Sequence, residues 1–167
     1  LKFTTPSGGQ ATKQVTAAVF RTSQQLSCYR IASLPPVDLV RTGNTKCGEL
    51  DIQVIDPVAD YAMLMQELFD FAAIRTWLQD GHRIRFDAMH GVTGPYARRI
   101  LVDLLGCPPD SILHAESLPD FGGLHPDPNP IDAAELVAES LRPDSADLLA
   151  ASDGDGDRNM ILGKRFF

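Results

Sequence analysis

Asp147-Leu148-Leu149-Ala150-Ala151-Ser152-Asp153-Gly154-Asp155-Gly156-Asp157-Arg158-Asn159-Met160-Ile161-Leu162 is the stretch on which the reading of this chain turns. An apolar strand over 147–151 runs straight into three carboxylates on alternate residues. Two glycines space them, an arginine follows at once, and a second short strand over 159–162 leaves the loop. Like charges at roughly 5 Å, with an effective dielectric of about 20, repel by about 3 kcal/mol per pair. A folded chain keeps such a trio only if water or a cation offsets it. All-oxygen ligation suits a hard divalent cation, magnesium or calcium, better than zinc. The glycines allow the backbone to turn so that the side chains converge.

Other readings of the loop are weaker. An EF-hand needs Gly at loop position 6 and Glu at position 12. Counted from Asp153, those positions hold Arg158 and Lys164. A calcium-binding β-helix would repeat, and nothing here does. A solvated acidic turn between two strands stays open on spacing alone. Arg158 favours a site, because a cation beside an acidic trio suits metal on one side and phosphate on the other.

Working outward, the pattern is regular. Residues 83–86 read as a strand, 95–105 as a helix ended by Gly106, 111–115 as a strand and 131–141 as a helix before the strand at 147–151. This β-α-β-α-β order predicts an α/β fold, a mixed and largely parallel sheet with helices on its faces. Ligands bind such sheets at the carboxyl ends of strands. The loops 87–94, 116–130 and 153–158 follow three strands and are expected to gather on one rim. Their prolines and glycines either hold rigid turns or support the metal rim, with His90, His125 or Asp127 as supporting partners. His114 falls in an apparent strand and reads as structural.

Upstream, 11–26 reads as an amphipathic helix with Val15, Val19 and Leu26 at roughly helical spacing. Residues 33–49 read as loop and 50–55 as a strand. Asp56-Pro57 opens a helix with Tyr61, Leu64, Met65 and Leu68 on one side. Another helix covers about 71–79 and stops near Gly81.

Composition bounds the function. The 167 residues suit one domain or a small domain with a piece of another, and 44% hydrophobic content supports a core. A net charge of -7 argues against general nucleic-acid binding. No apolar run approaches membrane-spanning length and no signal-peptide pattern occurs. Cys28, Cys47 and Cys107 are scattered and odd in number, which fits a reducing cytoplasm rather than a disulfide framework. Zinc motifs are lacking. Leu1 at the start and Phe166-Phe167 at the end read as cut from something longer.

The run from Asp153 through Arg158-Asn159-Met160-Ile161-Leu162-Gly163 to Lys164 resembles the metal-binding loop of phosphoglucomutases, in the α-D-phosphohexomutase superfamily. Asp87-Ala88-Met89-His90-Gly91-Val92-Thr93-Gly94-Pro95-Tyr96 and the loop 120–130 are similar to the same branch. Together they cover about 61–167 in the right order. Leu1-Lys2-Phe3 and Ser7-Gly8-Gly9 are similar to the segment after the family's phosphoserine loop, while 27–50 matches poorly.

The resemblance implies a cytoplasmic four-domain isomerase that interconverts glucose 1-phosphate and glucose 6-phosphate. It implies a phosphoserine and a glucose 1,6-bisphosphate intermediate. It carries the magnesium ligands onto Asp153, Asp155 and Asp157, and a catalytic arginine near the transferring phosphoryl group onto Arg158. Lys2 aligns with a lysine that serves in proton transfer or phosphate contact; the alternative is a solvated lysine. Residues 1–66 would be the incomplete end of domain 1 and 67–167 domain 2 with the metal loop. The partners implied are a phosphorylated hexose and the remaining domains of the same chain, with neither nucleic acid nor membrane. This portion alone is expected to be inactive and to bind magnesium weakly. The rivals are a related phosphohexomutase, such as a phosphomannomutase, a glucose-bisphosphate synthase, and a non-catalytic relative serving as an interaction module.

Overall fold

The computed structural model describes residues 3–164. The chain divides into two compact units, Leu1–Ile55 and Asp56–Phe167.

In the first unit, helix α1 (Lys13–Gln24) is capped by Thr12, whose side chain accepts from the Val15 amide. None of its residues is buried. Strands β1 (Gly43–Cys47) and β2 (Leu50–Val54) pair antiparallel, with Cys47 opposite Leu50 across a turn at Gly48-Glu49. Residues 33–49 were expected to be loop, and β1 corrects that. Four of its five residues are exposed, so it lacks the buried alternation that marks a strand in sequence.

The second unit carries the site. Helix α2 (Ala59–Leu68) begins three residues after Asp56, whose Oδ1 accepts from the Val58 amide at 2.9 Å. Its buried residue is Ala62, whereas Tyr61, Leu64 and Leu68 of the expected apolar side are exposed. Helix α3 (Phe71–Gln79) is capped by Asp70, which accepts from the Ala73 amide. Strand β3 (Ile84–Asp87) follows. Helix α4 (Gly94–Ala97) then widens into a π-helical segment, Arg98–Leu104, and the Leu105 amide reaches the Ile100 carbonyl at 2.9 Å.

Strand β4 is shorter than expected, Ile112–Leu113, because His114 turns into the left-handed region at φ 46°. Helix α5 (Ala134–Ser140) starts three residues later than expected. Asn129 Oδ1 first accepts from the Ile131 and Asp132 amides and holds a turn there. Strands β5 (Leu148–Ser152) and β6 (Asn159–Gly163) flank the aspartate loop.

The sheet order is β4-β3-β5-β6. The first three strands run parallel, and β6 pairs antiparallel with β5. This is the mixed, largely parallel α/β architecture that the sequence predicts. Its core gathers Met89, Ala133, Leu136, Ala146, Leu149, Ala151 and Leu162. Leu149 and Ala151 point from β5 into it, which seats the strand and fixes where the next residue, Ser152, and the loop emerge.

Candidate metal centre

The loop leaves β5 with its first carboxylate already buried. Asp153 is 2% exposed, and Arg158 holds both its oxygens. The Arg158 amide donates to Oδ1 and the guanidinium Nε donates to Oδ2, each at 3.0 Å. The Asp153 amide returns a bond to the Arg158 carbonyl at 3.1 Å, closing the loop on itself. Burial pushes the Asp153 carboxyl up. The Arg158 amide and the Arg158 side chain outweigh it and hold the group below the usual carboxylate range.

Carboxylate oxygens of Asp153, Asp155 and Asp157 lie within 4.8 Å of one another. Asp155 and Asp157 are exposed. Three convergent oxygen donors, one fixed from below and two open to solvent, fit a hard divalent cation that keeps some of its water.

The three loops do meet on one rim. The Val92 amide donates to the Gly154 carbonyl at 3.1 Å, and the Gly154 amide donates to the Pro126 carbonyl at 3.2 Å. Thr93 Oγ1 and Ser152 Oγ lie 2.6 Å apart. Gly91 stands where backbone meets backbone: a Cβ there would sit 2.8 Å from the Gly154 carbonyl oxygen. Positive φ angles at Met89, His90, His114 and Phe121 fall in or beside these loops, a cost that surrounding contacts must over-determine. Asp87 supplies one such contact, its Oδ1 accepting from the Met89 amide at 2.8 Å and meeting His114 Nδ1 at 2.9 Å.

Between the loops lies a cleft of about 770 Å³, lined by His90, Phe121, Asp127, Asp155 and Arg158 among others. The sequence-predicted residues separate here. Asp153, Asp155, Asp157 and Arg158 are brought together. Asp127 joins them through Arg158 Nη1 at 2.6 Å. His90 Nδ1 is engaged with the Glu116 carbonyl at 2.7 Å, and His125 pairs with Asp132 at 2.9 Å. Lys2 lies outside the described residues.

Sequence reasoning missed Asn129 and Asp132, which connect His125 to Asp127. The Pro-Asn-Pro punctuation marks a turn but not what its side chains hold. His125, Asp127 and Asp132 also offer ligand atoms within 4.8 Å of one another. His125 pairs with Asp132, and Asp132 and Asp127 both accept from Asn129, with Arg158 donating to Asp127.

These observations define the class: an α/β domain that presents an oxygen-donor loop, with an arginine beside it, at the carboxyl rim of a parallel sheet. The family follows from comparison. Residues 59–165 match the family model described as phosphoglucomutase/phosphomannomutase, alpha/beta/alpha domain II, and the chain belongs to that family. Over 167 residues it is 48% identical to a phosphoglucomutase of Rhizobium radiobacter, covering all of this chain and 31% of that protein. It is 46% identical over 168 residues to the chloroplastic phosphoglucomutase of Arabidopsis thaliana, covering all of this chain and 27% of that one. Among solved structures it is similar to the open form of the exocytosis-sensitive phosphoprotein pp63/parafusin, a phosphoglucomutase from Paramecium. There the TM-score is 0.75 at 36% identity, covering 99% of this chain and 32% of the other. The chain therefore spans between about a quarter and a third of the length of these relatives.

Proposed function

We propose that this chain supplies the metal loop and one active-site rim of a phosphoglucomutase, which interconverts glucose 1-phosphate and glucose 6-phosphate through a phosphoserine and glucose 1,6-bisphosphate. The observation that carries this reading is the convergence of Asp153, Asp155 and Asp157 within 4.8 Å, with Arg158 beside them in a cleft. Asp153, Asp155 and Asp157 would hold magnesium, which when bound supplies positive charge against a phosphoryl group.

The chain's own residues have distinct roles in this reading. Asp153, fixed by two hydrogen bonds from Arg158, sets the depth of the site. Asp155 and Asp157 close it from the solvent side. Arg158 is the catalytic arginine, its exposed guanidinium available to phosphoryl oxygens through paired hydrogen bonds. Lys2 is proposed for proton transfer or phosphate contact. Residues 1–66 are proposed as the end of the family's first domain and 67–167 as its second.

No helix among the described residues is long and apolar enough to cross a membrane. A cytoplasmic setting belongs to the proposal, supported by three free thiols at Cys28, Cys47 and Cys107. The family description also covers phosphomannomutases, so mannose 1-phosphate is the rival substrate.

The test is a mutase assay of the whole protein that contains this chain, with glucose 1-phosphate and mannose 1-phosphate offered separately. The expected result is activity on glucose 1-phosphate that Asp155→Ala lowers by about a hundredfold or more, since losing even a group that supports a metal ligand costs about 10–100-fold. Unchanged activity in Asp155→Ala would refute the metal role. Because the chain spans about a third or less of its relatives, it is expected to show no turnover when assayed alone.

A further inference from the structure

The loop 125–132 makes an unbroken chain of side-chain hydrogen bonds that ends on Arg158. His125 Nδ1 meets Asp132 Oδ2 at 2.9 Å. Asn129 Nδ2 donates to the same Asp132 oxygen at 2.7 Å and to Asp127 Oδ2 at 3.0 Å. Asp127 Oδ1 then accepts from Arg158 Nη1 at 2.6 Å.

Asn129 has no donor or acceptor left over. Its two N–H groups go to two carboxylates, and its Oδ1 accepts from the Ile131 and Asp132 amides at 2.8 and 2.9 Å. An amide held at four points cannot rotate without losing bonds. It therefore fixes which Asp127 oxygen faces inward and which faces Arg158.

Arg158 is consequently gripped at two atoms by two loops, Nε by Asp153 and Nη1 by Asp127. A planar guanidinium held at two of its three nitrogens has a set plane. It does so while 60% exposed in the cleft, where a long side chain would otherwise sample many rotamers.

We infer that Asp127 and Asn129 are positioning residues: Asn129 locks Asp127, and Asp127 aims the Arg158 guanidinium across the cleft toward an incoming phosphoryl group. The aiming itself stands on geometry; its purpose rests on the proposed role of Arg158 as a phosphoryl contact. The surrounding charge explains why an amide is used. Asp127 and Asp132 would repel across this turn, and a neutral double donor between them offsets the repulsion where a third carboxylate would add to it. Asn129 and Asp are nearly the same shape, so Asn129→Asp is a sharp probe. It keeps the two backbone acceptor bonds, removes both donors and adds a charge.

The experiment uses this 167-residue chain, isotope-labelled, with the Arg158 Nη1–H signal, the donor to Asp127, followed by NMR. In the parent chain the proton is expected to exchange slowly with water. In Asn129→Asp and in Asp127→Asn the exchange is expected to rise about tenfold, the factor for losing one charge-assisted hydrogen bond. The backbone amide spectrum reports folding in the same samples. If Asn129→Asp does not fold, Asp127→Asn decides alone. A lower melting temperature with Arg158 exchange unchanged would overturn the inference, since it would make the chain of bonds a loop fastener and nothing more.

A second arm separates the two claims. Inorganic phosphate is titrated into the magnesium-loaded parent and variants. Loosened Arg158 together with several-fold weaker phosphate binding supports both claims. Loosened Arg158 with equal phosphate binding in parent and variants keeps the positioning and refutes the phosphoryl contact.

Discussion

Two arginines stand toward opposite ends of one sheet and make the same kind of ion pair to different effect. Arg85 on β3 places its Nε 3.0 and 3.1 Å from the two oxygens of Glu139 on α5, and its Nη1 meets the Asp110 carbonyl. Both partners are largely covered, at 27% and 15% exposure. One cation meets one carboxylate, and the charges balance. At the rim, Arg158 meets Asp153 and Asp127 and lies near Asp157, with Asp155 in the same cluster. One cation there faces four carboxylates. The two ends differ in charge balance. The closed, balanced pair fastens a helix to a strand. The open pair leaves negative charge in excess, as the proposed cation site requires.

The first way to break this comparison is to unseat the rim. Gly94 lies against the loop that follows β4, and a Cβ there would come 1.9 Å from the Ala115 carbonyl oxygen. Backbone cannot yield as a side chain can. Gly94→Ala is expected to destabilise by about 3 kcal/mol or more, measured by urea unfolding. A wild-type midpoint would show that the rim is more pliant than described.

Next is the fastening end. Glu139→Ala leaves the largely covered Arg85 without its carboxylate. A loss of about 2 kcal/mol is expected, below the range for fully buried pairs because solvent reaches part of this one. Magnesium binding should be unaffected. A variant that kept full stability but lost metal binding would invert the roles of the two ends.

A smaller effect with a telling sign comes from Asp155→Asn. Removing one like charge from the trio should raise the melting temperature slightly without metal and abolish the rise that magnesium gives the parent chain. A lowered melting temperature without metal would mean that the trio is not under repulsive strain.

The smallest effect is expected at the edge of the rim. His125 is 75% exposed on its side chain. The Asp132 hydrogen bond, with its charge, raises the His125 pKa, and the His125 bond lowers that of Asp132. A raised histidine pKa gives stability that is full below the ordinary histidine value and is lost as pH rises through the raised one. A lowered carboxylate pKa gives stability present above the ordinary carboxylate value and lost as pH falls through the lowered one. The pair therefore contributes most between the two. The melting-temperature difference between the parent and His125→Gln should be largest near pH 5 to 6 and vanish well above the histidine range. A difference that grew with pH would break this assignment.

The parallel run of β3, β4 and β5 was legible from the alternation of strands and helices, and the rim followed from strand direction, whereas the order β4-β3-β5 appears only in the fold. The aspartate loop was legible because its spacing is local. What escaped sequence reading depends on contacts made at a distance. Strand β1 is polar and exposed, so no periodicity announced it. His114 looks like strand sequence, yet it leaves β4 for a positive φ and meets Asp87, 27 residues away. Asn129 and Asp132 read as turn residues, and only the folded loop reveals that they link His125 to the partner of Arg158.

The central claim is that Asp153, Asp155 and Asp157 form a divalent-cation site. The most direct test is a magnesium titration of the chain followed through backbone amide shifts. Weak, saturable shifts centred on residues 153–158 are expected, and they vanish in Asp155→Ala. Shifts spread evenly over the acidic surface, or no saturation in the loop, would contradict it.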